Sequence, residues 1–117
     1  MRAPLIAVAL LVGCVAGIGA PAFADDTGVA QALHGMKRVG SKTCLDDHFH
    51  DGSGTGASQK VAMADAVKNW QGFTAFEYGS DWGAYGNAVA KSASCDRGMS
   101  SFTCQVSAIP CKVGGRR

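Results

Sequence analysis

The chain has 117 residues, 47% of them hydrophobic and 17% charged, with a formal net charge of +2. A balance so near neutrality excludes a strong electrostatic pull toward nucleic acid or an anionic membrane, and the length leaves room for one small domain with a thin core. Five cysteines in so short a chain direct attention to disulfides before enzyme chemistry.

Taken in order, Met1-Arg2, an apolar run from Ala3 to Ile18 and then Ala22-Phe23-Ala24 predict a signal peptide over 1–24, cut after Ala24. The competing pattern Leu11-Val12-Gly13-Cys14 resembles a lipobox, so membrane attachment is expected only if Cys14 is lipidated. Residues 25–42, with Gly28, Gly35 and Gly40 and little periodicity, read as a flexible N-terminal arm. A single domain is expected over 43–112, and 113–117 form a basic tail.

Thr43 to Asp51 alternates as a strand does, with Leu45 and Phe49 on one face and Cys44, Asp46, His48 and His50 on the other. The run from Asp51 to Ser58 reads as a glycine-rich loop. From Ser58 to Gly79 the periodicity is helical. Met63, Ala66, Val67, Trp70 and Phe73 fall on one face, and Lys60, Asp65, Lys68 and Gln71 fill much of the other. Ser58 is the expected N-cap and Gly79 the residue that ends the helix, while Gly72 marks a place where it can kink or stop. A second strand is expected within Trp82 to Cys95, a turn over 96–101, and a third strand over Phe102 to Ile109, closed by Pro110.

The order strand-helix-strand-strand predicts an α+β two-layer sandwich, with three antiparallel strands under one helix. Once the leader is removed four cysteines remain, and four cysteines permit three pairings. If the first strand lies beside the third, Cys95 and Cys104 flank the hairpin turn, and Cys44 comes near Cys111. The topology therefore favours Cys95–Cys104 and Cys44–Cys111.

Asp46-x-His48-x-His50 is the best candidate for chemistry, because alternate strand residues share a face. Two imidazoles and a carboxylate could there converge on zinc or copper. The competing reading is a solvated polar strand face. Gly52-x-Gly54-x-x-Ala57 superficially matches a dinucleotide fingerprint, yet repeated strand-helix units are missing, and a linker explains it better. No nucleophile-base-orienter set can be assembled, so an enzyme is not expected. The aromatics that crowd between Trp70 and Tyr85 suggest either core or a partner-binding patch that includes Trp82 and Tyr85.

The spacing of Trp70, Glu77-Tyr78-Gly79, Trp82, Cys95, Cys104 and Pro110-Cys111 resembles a group of small exported alphaproteobacterial proteins of unknown function. The resemblance spans about Cys44 to Lys112 and implies export and paired cysteines, but no activity. The order of elements is also similar to dodecin-like folds, without a dodecin ligand motif. The expected protein is a periplasmic or secreted non-enzymatic domain that binds a protein partner or itself, with homodimerisation through the open sheet face. Divalent-metal binding by Asp46, His48 and His50 is the alternative.

Overall fold

The computed structural model describes residues 33–114. The expected signal peptide over 1–24, with Cys14, and residues 115–117 lie outside them. Strands β1 (Met36–Val39), β2 (Lys42–Leu45) and β3 (His50–Gly56) precede helix α1 (Gln59–Tyr78). Two 3₁₀ turns, Ser80–Trp82 and Tyr85–Asn87, lead to β4 (Val89–Arg97), β5 (Phe102–Ile109) and β6 (Cys111–Val113). All pairing is antiparallel, in two three-stranded sheets ordered β1-β2-β6 and β3-β5-β4.

The larger sheet with α1 is the expected α+β sandwich, and its first strand does lie beside its last. That first strand, however, is not 43–51. The chain leaves β2 at Leu45, and Asp47 adopts φ 50°, a left-handed conformation that interrupts the alternation of an extended strand. Pairing resumes only at His50, and β3 then runs to Gly56 through the stretch from Asp51 that composition reads as a loop. The supposed N-terminal arm also contributes β1, which turns back on β2 through Gly40 at φ 61°.

Glycine is depleted in strands, and β3 holds three. Their role is steric. Gly52, Gly54 and Gly56 alternate with outward Asp51, Ser53 and Thr55, and each places its missing side chain under α1. A Cβ on Gly52 would lie 2.7 Å from Trp70 Cβ, one on Gly54 2.5 Å from the Ala62 carbonyl oxygen, and one on Gly56 2.6 Å from Val61 Cγ1. Such contacts are too short to exist, so the helix rests directly on the strand backbone. Ala62 and Ala66 on the helix are small for the same reason, and both are wholly buried.

The residues of α1 that face inward are Ala62, Ala66, Trp70, Thr74 and Tyr78, a strict spacing of four. Phe73, expected on the buried face, is half exposed, because the drift of a four-residue stripe rotates it outward by the last turns. Ser58 Oγ accepts from the Val61 amide at 3.2 Å, and the Gly79 amide donates to the Ala75 carbonyl at 2.9 Å. The helix runs through Gly72, which faces open space. Along the outer edge of β3, the Asp65 carboxylate accepts from the Thr55 amide at 3.1 Å, and Asn69 Nδ2 donates to the Ser53 carbonyl. These side chains satisfy edge groups that would otherwise be open to another strand.

Both expected disulfides are present, each between directly opposed residues: Cys95–Cys104 across β4 and β5, and Cys44–Cys111 across β2 and β6. One core cluster joins α1 to the larger sheet through Trp70, Cys104, Val106 and Ala108. A second joins the smaller sheet to the helix end through Leu45, Tyr78, Trp82, Ile109 and the Cys44–Cys111 bridge. Where the clusters meet, His50 and Thr74 are buried polar residues.

Candidate functional site at the end of the helix

His50 opens β3 on the same face as the three glycines, so its ring projects toward the last turns of α1. Its side chain is only 2% exposed. Nδ1 lies 3.2 Å from Thr74 Oγ1, and Nε2 lies 3.2 Å from Glu77 Oε2 and 3.4 Å from the Tyr78 hydroxyl. Helical spacing explains the convergence, since 74, 77 and 78 share one face. A carboxylate accepts only, so the neutral imidazole carries its proton on Nε2, donates to Glu77 and accepts from Thr74 at Nδ1. The backbone is held as well, because Trp70 Nε1 donates to the His50 carbonyl at 2.9 Å.

Burial pushes the His50 pKa below its ordinary value, and the Glu77 carboxylate opposes that shift. His48 and His34 lower it further, while Asp51 raises it. Burial also raises the Tyr78 phenol, and Glu77, to which it is hydrogen-bonded, adds to the effect. His50 with Thr74 has the outline of a base beside a hydroxyl. Thr74 is wholly buried, so the hydroxyl is placed for packing rather than for attack on a substrate.

Around this buried centre lies a partly exposed ring of aromatic groups. His48 packs 5.1 Å from His50 and 4.2 Å from His34, centroid to centroid. His34 and His48 both set their edges against Tyr78, at 5.7 and 6.3 Å. Phe73 lies 5.3 Å from His50. Phe73 is 51% exposed and Phe76, one turn on, is 80% exposed.

The expected ligand set does not assemble. Asp46 binds Lys37 Nζ at 2.9 Å, with Asp47 on the same ammonium at 3.3 Å, and these two carboxylates raise the Lys37 pKa. Both ring nitrogens of His50 are already hydrogen-bonded. Among the described residues no three ligating side chains are placed to share a metal ion. The break at Asp47 is the physical reason, because it removes the common face on which Asp46, His48 and His50 were expected.

The expected partner-binding aromatics are also differently placed. Trp82 is wholly buried in the second core cluster, with Lys112 Nζ 5.2 Å from its ring centroid. Tyr85 is half-buried, its ring 5.1 Å from Trp70 and beneath the Lys91 ammonium. Exposed aromatic surface belongs instead to Phe49, Phe73 and Phe76.

The open face of the larger sheet, expected to support a homodimer, is polar. Register aligns Asp51, Ser107 and Ser92 in one row and Ser53, Gln105 and Ser94 in the next. Short side chains leave a shallow concavity of about 480 Å³ there. Covering it desolvates the serines, Gln105 and Asp51 that line it.

Sequence reasoning missed His34, Thr74, Glu77 and Tyr78 as parts of one cluster. The spacing of Trp70, Thr74, Glu77 and Tyr78 carried a usable helical signal; His34 carried none. No family model, curated protein or solved structure matches this chain.

Proposed function

We propose that this protein is an exported, disulfide-stabilised, non-enzymatic binding module that engages a protein partner, or a second copy of itself, through the end of α1. The exposure of Phe73 and Phe76, one turn apart near the end of α1, carries the reading. A phenylalanine left in water forgoes about 1.5–3 kcal/mol that burial would bring. Large apolar side chains set beside polar groups are typical of contact surfaces, and the Phe73 ring lies 5.3 Å from that of His50. Two disulfides support an oxidising compartment. Among the described residues no helix is long and apolar enough to cross a membrane.

The test is brief formaldehyde cross-linking in the producing cell, comparing the native chain with the Phe73→Ser/Phe76→Ser variant, whose fold is checked by circular dichroism. The native chain is expected to give a defined cross-linked species that the folded variant loses. A species that survives the double substitution at full intensity would place the contact elsewhere.

A further inference from the structure

The two edges of the larger sheet differ. β3 is covered, because Asp65 accepts from the Thr55 amide and Asn69 donates to the Ser53 carbonyl. These bonds also fix the phase of the ladder. Ser53 and Thr55 direct their backbone groups away from β5, so Gly54 is the residue that bonds to Cys104 opposite it. Cys104 then has no backbone group left for Cys95 on its other side. The Cα separation of Cys95 and Cys104, 4.1 Å, is close to that of an opposed pair without backbone bonds. The hairpin turn agrees, since the Gly98 amide donates to the Ser101 carbonyl at 2.7 Å. Alternation from Gly98 back along β4 therefore leaves Arg97, Cys95 and Ala93 with both backbone groups directed out of the sheet edge.

That edge is open. β4 has 9 residues and no proline, and it is exposed along nearly its whole length. The left-handed Ala90 and the irregular pairing between Val89 and Ser92 guard only its start. From Ser92 to Arg97 the strand is regular. Among the described residues none hydrogen-bonds the outward groups of Ala93, Cys95 or Arg97.

We propose that β4 pairs edge to edge with β4 of a second copy, antiparallel and centred on Cys95, so that two larger sheets become one continuous sheet. The sequence of β4 selects this occupant and this register. A two-fold axis normal to the sheet keeps the faces matched and centres the pairing on one residue. Centred on Ser94, it would set Lys91 directly across from Arg97 of the other copy, an opposition of like charges. Centred on Ala93, it would run into the irregular start of both strands. Centred on Cys95, it uses regular backbone alone. Ala93 then exchanges bonds with Arg97 of the other copy, Cys95 with Cys95, and Arg97 with Ala93. On the polar face each Ser94 hydroxyl meets the Asp96 carboxylate of the other copy, a donor opposite an acceptor. This edge is separate from Phe73 and Phe76, so the two contacts are independent.

Sedimentation equilibrium of the oxidised chain, up to about 1 mM, tests the pairing. The native chain is expected to pass from monomer to dimer as concentration rises. Amide exchange followed by NMR should slow at Ala93, Cys95 and Arg97 in the concentrated sample, while Ser94 and Asp96 do not change. Ala93→Pro removes an outward amide without touching the ladder to β5, and should give a folded monomer. The register is tested by charge. Ala93→Glu sets a carboxylate opposite Arg97 and Ala93→Lys a second cation, so their dimer dissociation constants should differ by about tenfold, with Glu the tighter. Phe73→Ser/Phe76→Ser should dimerise as the native chain does. A native chain that stays monomeric, a dimer that survives Ala93→Pro or is lost in the phenylalanine variant, or equal affinities for the Glu and Lys variants would overturn the proposal. Should Ala93→Pro not fold, the comparison of Glu with Lys at this exposed position decides.

Discussion

Gly54→Ala is the sharpest probe of the packing that places the site. Gly54 lies in the middle of β3, and a Cβ there would lie 2.5 Å from the Ala62 carbonyl oxygen and 2.6 Å from the Asp65 carbonyl carbon. Both are helix backbone atoms, which cannot step aside as a side-chain tip can. Overpacking of this kind costs about 1–3 kcal/mol, and reduced freedom in the unfolded chain returns only about 0.4–1 kcal/mol. The net loss should be about 1–2 kcal/mol, or roughly 5–15 °C in Tm for a domain of this size. Gly72→Ala is the control. It sits on the same helix, meets nothing within 4 Å, and should stabilise by roughly 0.5–1 kcal/mol. Thermal and urea unfolding of the oxidised proteins, followed by circular dichroism, measures both. If Gly54→Ala is tolerated as well as Gly72→Ala, the helix does not rest on the β3 backbone and this reasoning fails.

Three further outcomes follow from the same geometry. Replacing Cys44 and Cys111 by Ala should cost more than replacing Cys95 and Cys104, because the sequence separations are 67 and 9. Chain entropy puts the losses at about 4 and about 2.5 kcal/mol, and urea midpoints showing the reverse order would contradict it. Ser58→Ala should lower stability by about 0.5–2 kcal/mol through loss of the Val61 amide's acceptor, whereas Ser58→Gly should cost only a few tenths; equal losses would exclude the cap. His50 contributes pH dependence of a definite sign. Its folded pKa lies below the unfolded value of 6.5, so the unfolded state binds the proton more readily. That stability is complete above about pH 6.5 and declines as pH falls toward the lower folded value. A urea midpoint that rises between pH 7.5 and 5 would reverse the sign and refute the burial argument.

Much of this fold was legible because its signals are local. Ser58, Gly79 and the alternation of Phe102 to Ile109 each act within a few residues, and the hairpin geometry then brought Cys95 to Cys104. The glycine-rich β3 was misread because composition argues for a loop, and only tertiary contact reverses that. Gly-x-Gly-x-Gly followed by Ala62 and Ala66 is legible as a close helix–strand contact once the two patterns are considered together. The metal set failed for a related reason. Alternation over Thr43 to Asp51 assumed one continuous strand, and nothing in the sequence marks Asp47 as the residue that adopts a left-handed backbone. The aromatic surface was misassigned because Trp82 and Phe76 look alike in one dimension. The drift of a stripe spaced by four turns Phe76 outward, and the closure of the smaller sheet over the helix end buries Trp82. His34 joins the cluster through tertiary contact alone.

The central claim, that the end of α1 is a contact surface, is tested most directly by placing a photo-crosslinking amino acid at position 76 and, as a control, at position 60 on the first turn of the same helix. Irradiation in the producing cell should give a discrete adduct from position 76 and none from position 60. No adduct at 76, or equal adducts from both positions, would contradict the account.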